Sequence, residues 1–214
     1  MENNEKLKTG TTTVGILGKD FVVLAADKRA TAGHFIAMKN SKKVVPINEK
    51  IAVTKSGSVA DSQLLIKVLR SELKIRDIRN GRDSTVKEAA SILTNMIYQG
   101  SRSFGTMPVM VSFLLGGYDK KPSLYEAYID GSIMDIKDEG GFISTGSGSL
   151  FALGVLENEY KEDLNEDEAI KLAVKAIKTA IKRDSASGQG IDVAVINKDG
   201  YKEVLTKKIS EKLE

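Results

Sequence analysis

Hydrophobic periodicity changes along this chain in blocks, and the order of those blocks limits the folds open to it. Thr12–Leu17 and Phe21–Ala26 are short β-rich runs parted by Gly18-Lys19-Asp20, a hairpin signal. Phe35–Met38, Lys43–Ile47 and Ile51–Thr54 read as further short strands. From Val59 to about Arg79 the period becomes helical, carried by Leu64, Leu65, Val68, Leu69, Leu73, Ile75 and Ile78, and Asn80-Gly81 stops it. Asp83 or Ser84 is positioned to cap the next helix, whose apolar face is Ala89, Ala90, Ile92, Leu93, Met96 and Ile97. Val109–Leu115, Leu124–Ile129, Ser132–Ile136 and Gly141–Ser144 are strand-like again, joined by Gly/Asp turns. Two helices follow, at about Ser149–Tyr160 and Asn165–Arg183. Asp192–Asn197 and Tyr201–Val204 then close as a hairpin through Asn197-Lys198-Asp199-Gly200, and a short polar helix is expected at the end. Strands in blocks and helices in pairs are not the alternation of a doubly wound parallel sheet. The pattern implies an α+β protein with antiparallel sheets, and two sheets with two outer helix layers account for the counts.

The length of 214 residues suits one domain with a sizeable core, and no linker, low-complexity tract or repeat divides it. Lys and Arg number 32 against 29 Asp and Glu, interspersed, so no basic stripe offers a nucleic-acid surface. With no Cys and a single His, His34, a disulfide framework, a thiol nucleophile and a multi-His metal site are excluded. Met1–Gly10 is polar and has no apolar segment of a secretory signal, and no run is long enough to span a bilayer. A cytoplasmic protein, with no membrane partner, is the expectation.

Chemistry must therefore come from hydroxyls, amines and carboxylates. Gly10-Thr11-Thr12-Thr13-Val14-Gly15 opens the first strand, and a Thr-rich strand start would be ordinary. Cleavage of the Gly10–Thr11 bond would change its meaning. Thr11 would then carry both an Oγ nucleophile and a free α-amine, whose reference pKa near 8 leaves a useful unprotonated fraction at neutral pH. Candidate supports are Asp27-Lys28-Arg29 after the second strand, Lys42-Lys43, Thr145-Gly146-Ser147-Gly148-Ser149 between strand and helix, and Arg183-Asp184-Ser185-Ala186-Ser187-Gly188 after a helix. Each has a plainer reading: surface charge, a turn with an N-cap at Ser147 or Ser149, or a helix stop. A phosphate loop at Thr145–Ser149 lacks either glycine fingerprint of nucleotide sites.

Taken in order, Thr9–Gly15, Asp27-Lys28-Arg29, Lys43, Gly57, Ser144–Ser149 and Arg183–Gly188 closely resemble the signature segments of archaeal proteasome β subunits, from about Lys8 to the final helix. The peptidase of the bacterial HslUV system is a shorter relative, and the Arg183–Gly188 segment favours the proteasome. The resemblance implies an N-terminal nucleophile hydrolase fold, a four-layer αββα sandwich with two antiparallel sheets. It implies a propeptide, 1–10, removed by self-cleavage at Gly10–Thr11, and a single catalytic domain, 11–214. It also implies threonine-type endopeptidase activity without metal or organic cofactor. Thr11 would be the nucleophile, Lys43 the base beside its Oγ, and Asp27 the partner that orients Lys43. Ser147, Asp184 and Ser187 would surround the Thr11 amine, and the backbone N–H of Gly57 would receive the oxyanion.

By the same alignment Lys55 falls at the floor of the pocket for the side chain before the cut, where archaeal members commonly carry an apolar residue. A cation there would favour acidic side chains. Ala30, Ser41, Val45, Val59 and Gln63 would line the same pocket. Implied partners are other β subunits in a seven-membered ring, proteasome α subunits, a regulatory ATPase or activator acting through the α ring, and unfolded polypeptide as substrate. The apolar faces of Val59–Arg79 and Ser84–Phe104 could face either the sheet or a neighbouring subunit. The alternatives are an unprocessed or non-catalytic structural subunit, including one of α type, and an N-terminal nucleophile amidase acting on small molecules.

Overall fold

The computed structural model describes residues 10–102 and 108–208. The expected terminal helix, the far end of Ser84–Phe104, and residues 1–9 of the leader lie outside them. In chain order the strands are β1 (Thr12–Leu17), β2 (Phe21–Asp27), β3 (Ala30–Ala32), β4 (Phe35–Met38), β5 (Val44–Pro46) and β6 (Ile51–Gly57). Helices α1 (Val59–Asn80) and α2 (Val86–Ser101) follow, then β7 (Val111–Tyr118), β8 (Pro122–Ala127), β9 (Ile133–Asp135) and β10 (Phe142–Gly146). Helices α3 (Ser149–Glu159) and α4 (Glu166–Arg183) precede the closing hairpin, β11 (Gly190–Asn197) and β12 (Gly200–Lys208).

One five-stranded sheet runs β10-β1-β2-β11-β12 and the other β5-β6-β7-β8-β9, with every pairing antiparallel. Strand alternation sends successive side chains to opposite faces, and it divides the core into three layers. Val23 and Ala25 of β2 with Val193 and Val195 of β11 pack on Leu156 of α3 and on Ala173, Ala176 and Ile177 of α4. Their sequence neighbours Val22, Leu24, Ala194 and Ile196 turn the other way and meet Ala52, Leu114 and Leu124 of the second sheet. The far face of that sheet, including Val53, Phe113, Leu115 and Tyr125, carries Leu65, Leu69 and Leu73 of α1 and Leu93 and Ile97 of α2. Three apolar interfaces between four layers make the αββα sandwich that was expected.

Several boundaries shift, and each has a reason. Strand β6 runs on to Gly57 because Lys55, Ser56 and Gly57 pair with Phe113, Ser112 and Val111. Strand β10 does not continue the β7–β9 meander but crosses to pair with β1. The three-residue β3, too short for any period to register, forms a two-stranded ribbon with β4. Apolar residues of α1 divide into two stripes. Leu65, Leu69 and Leu73 are buried, whereas Leu64, Val68, Ile75 and Ile78 are exposed.

The cap of α2 is Thr85 rather than Asp83 or Ser84. Thr85 and Glu88 form a capping box, while Ser84 donates from its backbone N and Oγ to Asp77 Oδ1. Glu88 also takes a two-pronged bond from Arg82, at 3.0 and 2.7 Å. The Arg82 bonds, with the Thr85 backbone bond second, pull the Glu88 carboxyl from its ordinary 4.5 to about 2. Because the folded value lies below the free one, the stabilisation is whole above about pH 4.5 and is lost as pH falls through about 2. Glu88→Gln retains the box but not the charge. In urea titrations it should cost roughly 1 kcal/mol at pH 7, with the gap to wild type closing between those two pH values.

Candidate active site

The antiparallel pairing brings four chain ends to one edge of the first sheet: the start of β1, the end of β2, the end of β10 and the start of β11. Thr12 lies opposite Gly146, Thr13 opposite Ala26, and Ile191 opposite Asp27. The second sheet contributes the end of β6, Gly57, and the residue before β5, Lys43, whose carbonyl accepts from Lys55 N at 3.1 Å. Thr11, one residue ahead of β1, sits where these ends converge and is 5% exposed.

Asp27 is wholly buried and accepts four hydrogen bonds. Lys43 Nζ, at 2.6 Å, and Thr12 N, at 2.9 Å, reach its Oδ1. Arg29 N, at 3.0 Å, and Gly188 N, at 2.9 Å, reach its Oδ2. The carboxylate thus binds both sheets and the loop after α4 to one point. Beside it, a second buried pair joins Lys28 Nζ to Asp192 Oδ1 at 2.6 Å. Arg29 Nη1 holds the same loop through the Ser185 carbonyl at 2.7 Å.

Ser147, Asp184 and Ser187 form a second cluster on the other side of Thr11. The Thr11 backbone N donates to Ser147 Oγ at 3.2 Å, and Ser147 Oγ donates to Asp184 Oδ2 at 2.6 Å. Ser187 Oγ also donates to Asp184 Oδ2, at 2.6 Å, and lies 2.7 Å from Thr12 Oγ1. Gly148, not Ser147 or Ser149, occupies the N-cap of α3, with no side-chain cap bond. The Ser147 hydroxyl is therefore free for this cluster. Thr11 Oγ1 donates to the Gly10 carbonyl oxygen at 2.6 Å.

A narrow cleft opens at Thr11 and is lined by Gly10, Lys43, Lys55 and Gly57, with Ala30, Ser41 and Val59 of the expected pocket. Val45 and Gln63 are not on its wall. Val45 packs against the α1/α2 core, and Gln63 is exposed on α1, where Ser62 lines the cleft instead. Thr31 and Ser56 complete the lining. Thr31 Oγ1 accepts from Gly10 N at 2.8 Å, a role that no sequence signal in the short β3 announced. At Gly57 φ is +99°, and a Cβ would lie 2.2 Å from the Met110 carbonyl oxygen. Only glycine fits there.

Comparison with known proteins is decisive at this point. Residues 7–196 match the family described as Proteasome subunit. The chain is 47% identical over 197 residues to proteasome subunit beta 2 of Aeropyrum pernix, covering 92% of this chain and 86% of that one. It is 44% identical to proteasome subunit beta of Methanohalophilus mahii, over 100% of this chain and 99% of the relative. The Archaeoglobus profundus proteasome subunit beta is 42% identical over 98% of this chain and 95% of its own. The chain belongs to the proteasome β-subunit family.

In this β subunit, Lys43 shares the cleft with Thr11. Burial pushes its ammonium below the usual range, and Lys55 adds to the push, against the opposing pull of Asp27 and Asp184. Lys55 is also lowered by burial. The Lys43–Asp27 pair holds only while both partners are present, because a buried charge without its counterion costs several kcal/mol. Asp27→Asn should destabilise the chain by roughly 3–5 kcal/mol, and adding Lys43→Met should recover a large part of that loss. Urea unfolding of the two variants checks this. Equal losses in both would mean that Asp27 acts only through its backbone donors.

Proposed function

We propose that this chain is a self-activating threonine endopeptidase of the proteasome. The observation that carries the reading is the Thr11 hydroxyl, buried, 2.6 Å from the carbonyl oxygen of the bond to be cut, in a cleft shared with Lys43. Lys43 takes the Oγ proton as Thr11 Oγ attacks the Gly10 carbonyl carbon. The oxyanion forms beside Gly57, where no side chain intervenes. The C–N bond then breaks, the Thr11 nitrogen takes a proton, and Gly10 is left as an ester on Oγ. Water hydrolyses the ester, releasing 1–10 as a carboxylic acid and leaving Thr11 with a free amine. Peptide substrates follow the same two stages. Their leaving amine takes the proton, and the Thr11 amine, held by Ser147 and Asp184, shares in the proton transfers.

The substrate is unfolded polypeptide. Lys55, half-buried in the cleft, gives the subsite for the residue before the cut a positive charge, so Asp and Glu are preferred there. Assembly is with other β subunits in a seven-membered ring and with α subunits, through which an ATPase or activator acts, in the cytoplasm. The exposed Leu64, Val68, Ile75 and Ile78 of α1 and Leu150 of α3, 78% exposed, are surfaces of the kind such neighbours cover.

Intact-mass measurement on the chain co-expressed with its α subunit tests the reading. Wild type should lose the mass of residues 1–10, while Thr11→Ala and Lys43→Ala stay whole. A wild-type chain that stays whole and hydrolyses nothing would make this a silent subunit. For the mature enzyme, kcat/KM on peptides differing only before the cut should favour Glu over Leu about tenfold, and Lys55→Met should reverse the order. Equal rates in wild type would remove the charge assignment.

A further inference from the structure

Thr11 borders a second hollow, which Lys43 does not line. The two hollows share Thr11, Ser56 and Gly57, but Gly10 lines only the first. The uncut bond therefore orients a substrate. Its acyl side, represented by Gly10, belongs to the cleft of Lys55, and the chain beyond the cut passes over the second hollow.

The second hollow contains a carboxylate that the fold does not use. On β8, Leu124 and Glu126 face the space between the sheets, while Tyr125 and Ala127 face the helices. Glu126 lies opposite Leu114 of β7, whose side chain is in the inter-sheet core. It is 8% exposed, yet among the described residues it has no hydrogen-bond or ion-pair partner. Among those residues, no Lys, Arg or His lines the hollow, and Glu126 is its only carboxylate. A lone buried carboxylate costs stability, and burial pushes its pKa up. A cation brought by a ligand would offset that cost, and a neutral residue would not.

We propose that this second hollow is the subsite for the residue following the cut, and that Glu126 makes it select lysine or arginine there. The inference rests on the proteolytic reading above. Beside a cationic Lys55 before the cut, an anionic Glu126 after it would select bonds with an acid on the acyl side and a base on the leaving side. An acidic residue after the cut would meet like charge and be disfavoured.

The test uses the assembled, mature particle and internally quenched peptides identical except for Arg, Lys, Leu or Glu after the cut, with each cut located by mass spectrometry. Arg and Lys should exceed Leu by about tenfold in kcat/KM, with Glu slowest. Glu126→Gln should bring the Arg-to-Leu ratio close to one, and Glu126→Arg should favour Glu. A wild-type ratio at or below one, or the wild-type ratio retained in Glu126→Gln, overturns the proposal. If the variants fail to assemble, the wild-type series alone decides. A peptide with a neutral aminocoumarin leaving group separates the two readings. Its cleavage without any ranking among the series sinks the Glu126 assignment alone, whereas no cleavage of any substrate sinks the proteolytic reading and this proposal together.

Discussion

The buried carboxylate of Asp27 is the constraint on which the geometry of the site depends. Its donors come from β1, the segment after β2, the residue ahead of β5 and the loop after α4. Beside it, the bond from Ser41 N to the Lys28 carbonyl, at 2.8 Å, also ties the segment ahead of β5 to the end of β2, whereas the apolar contacts between the sheets are side chains that tolerate small slides. Hydrophobic layers make the sandwich stable, but they do not position a hydroxyl to a fraction of an ångström. A charged group with four directed donors does. The cost of burying it is offset locally by Lys43, and that same pairing leaves a lysine in a site dry enough to weaken its hold on its proton.

The sheets separate at this edge because the inter-sheet residues change character along the strands. Leu114 and Leu124 fill the space between the sheets further in. One pleat towards Thr11, the corresponding positions are Ser112 and Glu126, joined by Ser56 and Ser144. Polar side chains there do not close the gap as leucines would, so the second hollow opens beside Thr11. Opposite charges, Lys55 on one side and Glu126 on the other, are then a consequence of which pleat positions carry ionisable residues.

Much of this was legible in the residues. Period-two and period-3.6 runs located nearly every element, and block order excluded a parallel sheet before any pairing was known. The segments around Thr11, Asp27, Lys43, Ser147, Asp184 and Ser187 are scattered over more than 170 positions, and only their ordered resemblance to a family suggested that they meet; the fold brings them together. Other features left no local trace. Thr31 acts through a three-residue strand that no periodicity can reveal. The α2 cap passed to Thr85 because Asp77, a turn earlier on α1, claims Ser84. Val45 and Gln63, placed in the pocket by alignment to the family, are absent from the cleft lining, Val45 packing on the α1/α2 core and Gln63 standing exposed. Glu126 lies within the expected strand Leu124–Ile129, and only packing against the other sheet makes its face an interior one.

The contacts on either side of the Gly10–Thr11 bond suit both stages of the proposed self-cleavage. In the intact chain the Thr11 nitrogen is an amide donor to Ser147, Gly10 N is held by Thr31, and a Cβ on Gly10 would lie 1.8 Å from Ala186 Cβ. These contacts fix the residue before the bond as firmly as the one after it, leaving the carbonyl in reach of the Thr11 hydroxyl. Once the bond is broken, the same Ser147–Asp184 pair faces an amine rather than an amide. A serine hydroxyl can accept from either, and Asp184 keeps that hydroxyl oriented in both states. One set of side chains can thus restrain the precursor and support the base it releases, with no rearrangement of the sheet edge between the two tasks.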